Sequence, residues 1–200
     1  WRGRREYIKF CTNGEFDFSG CFYEYDLRDW NRCLEVIRKV DLVVHLADIV
    51  AGIDFVFKNE LFVFQNNLLI NSNVLRAAIE NCIGKYIYVG TACSFPQEKQ
   101  AMLNPMPLRE GDAYPANPES GYGWSKLMGE YECELAEKEG KIEASILRLH
   151  NVYGPPSDLS PERSQVIPAL CRKAIEYPER EFVVWGTGSQ RRAFVYVDDV

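Results

Sequence analysis

Only two histidines, His45 and His150, occur in the 200 residues, and the seven cysteines (Cys11, Cys21, Cys33, Cys82, Cys93, Cys133 and Cys171) never form a C-x-x-C pair. A zinc site needs clustered His and Cys ligands, and a disulfide framework needs an even set, so neither is indicated. No apolar run approaches the roughly 20 residues that cross a bilayer, and the opening WRGRREYIKF lacks the apolar core of a secretory signal. The chain therefore reads as cytoplasmic, with no membrane partner. Positive charge is also short. Against 29 Asp and Glu stand 23 Lys and Arg, and the net charge of −6 would repel nucleic acid or an anionic membrane over most of the surface. A G-x-G-x-x-G loop is missing too, because the glycines of WRGRRE and TNGEF neither follow a strand nor open a helix. The first residues read instead like the middle of a second strand whose predecessor is cut off.

What is present is a globular composition, 46% hydrophobic and 26% charged, with short apolar runs alternating with helical patterns. CFYEYDL (21–27) reads as a strand end. A helix over 30–38 follows, then DLVVHLA (41–47) as a strand buried on both faces, and a long helix over 60–81. KYIYVG (85–90) and EASILRL (143–149) read as further buried strands, QVIPALCRKAIEY (165–177) as a helix, and EFVVWG (181–186) and AFVYV (193–197) as late strands. This alternation predicts an α/β fold, a doubly wound, Rossmann-like parallel sheet covered by helices on both sides. Residues 1–155 would form the nucleotide-cofactor-binding domain, and 156–200 the start of a small, incomplete substrate lobe.

In such folds ligands sit beyond the carboxyl ends of the strands. The stretch SGYGWSKLMGEYE (120–132) places Tyr122 and Lys126 four positions apart, on one face of a helix. An ammonium beside a phenol stabilises the phenolate and lowers its pKa, giving a base able to take a proton from a sugar or alcohol hydroxyl. Strand 85–90 ends in Thr91, Ala92 and Cys93, where a hydroxyl and a thiol could complete a proton-transfer site. Taken singly, each feature has a plainer explanation: Tyr and Lys at this spacing occur in many solvated helix faces, and a lone Cys is commonly a small buried hydrophobe. Asp26 could equally cap the helix ahead of Trp30, Asn67 could be a solvated helix residue, and Arg192 an exposed charge.

Taken in order, Thr91, Tyr122 and Lys126 with DLRD (26–29), VVHLAD (43–48), Asn67, RLHNVYGP (148–155) and RRAFVYVDD (191–199) resemble the extended short-chain dehydrogenase/reductase family of nucleotide-sugar epimerases and dehydratases. Within it, GTACSFP and AYPANPESGYGWSKLMGE are similar to enzymes acting on GDP-sugars, of both the epimerase and the synthase kind. The resemblance implies roles. Asp26 and Leu27 would contact the adenine of the nicotinamide cofactor, Ala47 would line its pyrophosphate and ribose, and Asn67 would support the site. Thr91 would bind the sugar hydroxyl beside Tyr122, the acid/base, while Lys126 would also hold the nicotinamide ribose. Asn151 and Arg192 would contact the sugar diphosphate, Arg192 through its guanidinium fork.

The resemblance also implies NAD as cofactor, with NADP not excluded, a nucleotide-sugar substrate, and a homodimer through helices around 60–80 and 121–138. Glu6 would choose NAD by accepting the ribose hydroxyls and repelling a 2′-phosphate. Two departures stand out. In enzymes that exchange protons at carbons 3 and 5, Cys93 is one acid/base and a His or Lys the other, but this chain has Gln165, whose amide can hydrogen-bond substrate and does not titrate. Asp48 stands where many members have alanine, and its charge would repel a cofactor diphosphate unless it points away or is paired. An epimerase, a reductase or dehydrogenase of the same family, and a catalytically inactive nucleotide-sugar-binding relative all remain open.

Overall fold

Three parallel strands carry the site, and each ends close to a residue singled out above. A computed structural model describes residues 22–38, 40–50, 52–100, 106–161, 164–184, 186–189 and 191–200; the expectations for Glu6 and the N-terminal strand lie outside them. In chain order the elements are α1 (Trp30–Val36), β1 (Leu42–His45), α2 (Ile53–Lys58), α3 (Glu60–Glu80), β2 (Lys85–Thr91), α4 (Gln97–Gln100), α5 (Gly121–Lys138), β3 (Glu143–Leu149), β4 (Asn151–Tyr153), α6 (Val166–Glu176) and β5 (Phe194–Tyr196). The main sheet has the order β1-β2-β3, with Leu42 opposite Lys85 and Lys85 opposite Glu143. A second, two-stranded parallel sheet joins β4 to β5 and so ties residues on both sides of position 155.

Helices α1, α3 and α5 cover one face of the sheet. Cys33 and Ile37, Val74, Leu75, Ala77 and Ala78, and Cys133 and Ala136 close over the fully buried rings of Tyr86 and Tyr88. Fully burying a Val, Leu or Ile side chain contributes about 1.5–3 kcal/mol, and that packing is what holds these otherwise marginal helices in place. Two close approaches depend on glycine: a side chain on Gly129 would collide with the Tyr88 hydroxyl, and one on Gly123 with the Cys93 carbonyl. Helix α5 therefore lies tight against β2 and the turn after it.

The sheet is the predicted α/β parallel sheet, with five local differences. Among the described residues, 23–26 belong to no strand, and Asp29, not Asp26, caps α1, its carboxylate accepting from the Asn31 and Arg32 amides. Residues 181–184 join no ladder among the described residues, and β4 was not foreseen. In β1, Leu42 and Val44 keep 44% and 47% of their surface. The reason is position: β1 and β3 are the edges of the described sheet, and the packed helices cover only the face that His45, Tyr86 and Tyr88 share. No described helix is long and apolar enough to cross a membrane.

His45 is the buried polar residue of that face. Its ring lies 5.7 Å from Tyr88, and its Nε2 is 2.8 Å from Asn71 Oδ1. Burial pushes the imidazole down to about 4, the Asn71 bond pulls it back, and the Lys126 charge lowers it further. The unfolded chain binds a proton near the ordinary pKa of about 6.5. The stability gained by keeping His45 neutral is thus present above that pH and lost as pH falls toward 4, a change on the order of 3 kcal/mol. Urea unfolding across pH 7 to 4 is expected to show this loss in the parent and a shallower one in His45→Gln. Equal slopes would contradict it.

Candidate functional site

The loop leaving β1 is fixed from beneath. Asn67 on α3 is fully buried, its Oδ1 accepting from the Ile49 amide at 2.7 Å and its Nδ2 donating to the Ile49 carbonyl at 3.1 Å. With each amide atom bonded to the Ile49 backbone and no exposed surface, Asn67 acts through the loop. The same Ile49 amide also donates to Asp48 Oδ1 at 3.1 Å. Asp48 is thereby turned inward, where Lys126 Nζ stands 3.1 Å from its Oδ2, the two side chains only 5% and 4% exposed. This approach is off hydrogen-bonding angles, and no other described donor satisfies Oδ2. Burial pushes the Asp48 carboxyl up, while Lys126 and the Ile49 amide draw it down.

Lys126 projects from α5, whose start is set by Ser120: its hydroxyl accepts from the Gly123 amide, leaving Tyr122 in the first turn. The ammonium also sits 4.6 Å above the Tyr88 ring, a cation–π contact in a buried setting. Tyr88 in turn donates to the Lys126 carbonyl at 3.2 Å. Tyr122 and Lys126 occupy one helix face as the spacing requires, but the electrostatics differ from the expectation. Burial holds the Tyr122 phenol well above its ordinary value; the Asp48 and Cys93 charges push the same way, and the opposing pull is a hydrogen bond with Thr91. The lysine's charge is engaged by Asp48. In this state the phenol is a proton donor.

At the end of β2, Thr91 opens a 3₁₀ turn (Ala92–Ser94), its Oγ1 accepting from the Cys93 amide at 3.2 Å. Cys93 is an exposed free thiol. The turn is anchored by residues that sequence reasoning missed. Ser94, fully buried, donates to Glu130 Oε1 at 3.1 Å, and Arg148 Nε donates to Glu130 Oε2 at 2.7 Å. Arg148 continues to the Glu110 carbonyl at 2.6 Å and lies over the Phe95 ring. Burial raises the Glu130 carboxyl, and Arg148 and Ser94 pull it back. The one available signal was spacing: Glu130 continues the Tyr122 and Lys126 face of α5 one turn further on.

The structure brings Thr91, Cys93, Tyr122, Lys126 and Asp48 together where β1, β2 and α5 converge. Other predicted residues lie elsewhere. Asp26 is half-exposed, and the Arg28 guanidinium bonded to it holds its carboxyl at about 2; Arg28 also reaches Asn66 Oδ1 at 2.8 Å. The Leu27 carbonyl is bonded by Asn73 Nδ2 at 3.1 Å, so α3 fixes this turn. Ala47 is partly buried in the loop after β1. Asn151 bridges the small sheet, its Nδ2 donating to the Ala193 carbonyl at 3.0 Å, next to exposed Arg192. Gln165 is exposed at the N-cap of α6 and makes no capping bond.

The chain is similar to known proteins. Residues 3–200 match the NAD dependent epimerase/dehydratase family. The GDP-mannose 3,5-epimerase of Arabidopsis thaliana is 38% identical over 182 residues, covering 91% of this chain and 48% of the relative. The GDP-L-fucose synthase of Escherichia coli (strain K12) is 33% identical over 175 residues, covering 82% of this chain and 51% of the relative. A crystal structure of a GDP-L-fucose synthetase from Naegleria fowleri bound to NADP superposes with a TM-score of 0.71 at 25% identity, covering 96% of this chain and 64% of that one. The chain spans about half the length of the first two. By these likenesses and by its parallel sheet, the chain belongs to the NAD dependent epimerase/dehydratase family.

Proposed function

We propose that the full protein is an NAD-dependent nucleotide-sugar epimerase that works by transient oxidation at carbon 4 of a GDP-linked sugar. The observation that carries this reading is the convergence of Thr91, Tyr122 and Lys126 beyond the carboxyl ends of β1 and β2. Relatives named for GDP-mannose and GDP-L-fucose support the choice of nucleotide. The residues fit a nicotinamide nucleotide on one test. Asp48 Oδ2 is a buried acceptor whose one described approach, from the Lys126 ammonium at 3.1 Å, is off hydrogen-bonding angles, so the two leave an acceptor and N–H donors that a ribose diol would complete. When bound, the nicotinamide supplies the acceptor and donor of hydride. Thr91 would orient the sugar hydroxyl, Tyr122 would accept its proton only as the phenolate, which the ligand-free site disfavours and which the cation of a bound oxidised nicotinamide would favour, and Lys126 would hold the ribose. Asn151, Gln165 and Arg192 would meet the sugar diphosphate, with residues 156–200 as the start of the substrate lobe. NADP in place of NAD would suit a reductase.

Of Cys93 and Gln165, Cys93 is the titratable candidate for proton exchange at carbons 3 and 5, since the Gln165 amide does not titrate. In Cys93→Ser, deuterium from solvent is expected to enter carbons 3 and 5 at least about 10²-fold more slowly, with oxidation at carbon 4 retained. NMR of products from GDP-, UDP-, CDP- and dTDP-sugars checks both substrate and outcome, and no product from any GDP-sugar would remove the proposal. The exposed, non-titrating Gln165 favours one second reading, simple 4-oxidoreduction, which the same spectra distinguish by unexchanged carbons 3 and 5.

A homodimer through α3 and α5, in the cytoplasm, completes the proposal. Leu61 and Leu69 on α3 and Tyr131 on α5 keep 69%, 52% and 49% of their surface, an apolar face suited to a second copy. Light scattering is expected to give a dimer that Leu69→Asp shifts toward monomer. A monomeric parent would contradict it.

A further inference from the structure

We infer that Asp48 is a positioning residue for the Tyr122/Lys126 pair: its carboxylate clamps the Lys126 ammonium to the loop leaving β1, so that several groups, and not a lysine alone, set the charge balance around Tyr122. Three observations carry this. The ion pair is 3.1 Å long and nearly sealed from solvent, so it is only weakly screened. The loop that presents Asp48 is not free to turn away, because Asn67 holds the Ile49 amide and carbonyl and the Ile49 amide holds Asp48 Oδ1. Asp48 Oδ2 has no donor other than the approaching ammonium, so withdrawal of Lys126 would leave a buried carboxylate oxygen unpartnered.

The groups facing this pair come from every packed element. Thr91 and Cys93 stand at the end of β2, His45 sits on β1 and is held neutral, Asp48 follows β1, and Tyr88 lies under the ammonium. Among them Asp48 opposes the phenolate and Thr91 favours it. Asp48 therefore has two effects of the same sign on Tyr122: it repels the phenolate directly, and it occupies the cation that would stabilise it. Removing its charge frees Lys126 and lets the phenol ionise at lower pH.

This inference rests on the proposed function only for its kinetic readout. In the full-length protein, Asp48→Asn is expected to move the acid limb of kcat/KM to lower pH by about one unit or more. A side chain needed only for folding would lower activity and leave the limb in place. The second readout needs no substrate: ultraviolet titration of phenolate in Asp48→Asn against Asp48→Asn/Tyr122→Phe isolates Tyr122, to be set against the parent and Tyr122→Phe. The Tyr122 midpoint is expected to fall by the same amount, and Asp48→Ala gives the same direction without any polar replacement. If no nucleotide sugar turns over, the proposed function fails while the titration still decides the role of Asp48. An unmoved Tyr122 midpoint in both Asp48 variants overturns the clamp.

Discussion

Tyr122→Phe in the full-length protein is expected to lower kcat/KM for a GDP-sugar by about 10²- to 10⁴-fold, the usual contribution of a positioned proton-transfer group. The substitution keeps the ring and removes one oxygen, so the packing of the first turn of α5 survives. What is lost from the fold is the phenol oxygen's polar contact with Thr91, at most about 1 kcal/mol. The helix cap is untouched, because Ser120 bonds the Gly123 amide and the Ser125 hydroxyl bonds the Tyr122 carbonyl, neither through the phenol. Activity and stability should therefore separate cleanly in one variant. An inactive, ligand-binding relative gives the opposite pattern, with nucleotide-sugar affinity unchanged and no turnover to lose. Steady-state kinetics beside thermal unfolding distinguishes the two.

Glu130→Ala is expected to be the most damaging single change to the fold, costing about 3–5 kcal/mol. Glu130 is fully buried, and its two oxygens meet Ser94 and Arg148. Deleting it leaves the Arg148 guanidinium, 15% exposed, without its counter-charge. That loss is a large part of the 5–15 kcal/mol that holds a typical domain together. The same change frees Ser94, one residue from Cys93, so surviving protein should also lose precision in the turn that carries Thr91 and Cys93. Glu130→Gln keeps one oxygen to accept from Arg148 Nε, and its amide N–H can donate to the Ser94 hydroxyl oxygen, so it should cost less, on the order of 1.5–3 kcal/mol for the lost charge. Urea unfolding of the two variants tests the order, and near-parental stability in Glu130→Ala would contradict the role given to the pair.

Much of this site was legible in the chain, for physical reasons. The continuous β-branched and aromatic run of β2 can only be a strand with a buried face, and its end at Thr91 follows from that. Ser120 ahead of an amphipathic run marks a helix start, and four-residue spacing puts Tyr122 and Lys126 on one face whatever else the fold does. The partner of Lys126 was not legible. It depends on the path of the loop after β1, which Asn67 imposes from a helix 18 positions away from Ile49. Glu130 and Arg148 are likewise 18 positions apart and meet only because β3 pairs with β2 beneath α5. The run at 181–184 has strand composition but no described neighbour to pair with, and composition alone cannot supply one.

The most direct test is a single-turnover experiment on the full-length protein with a GDP-sugar carrying deuterium at carbon 4, followed by the absorbance of reduced nicotinamide. The expected result is a transient signal that deuterium slows and that Tyr122→Phe abolishes. Product formation without that signal, at the same rate for the deuterated sugar and in Tyr122→Phe, would contradict hydride transfer at this site.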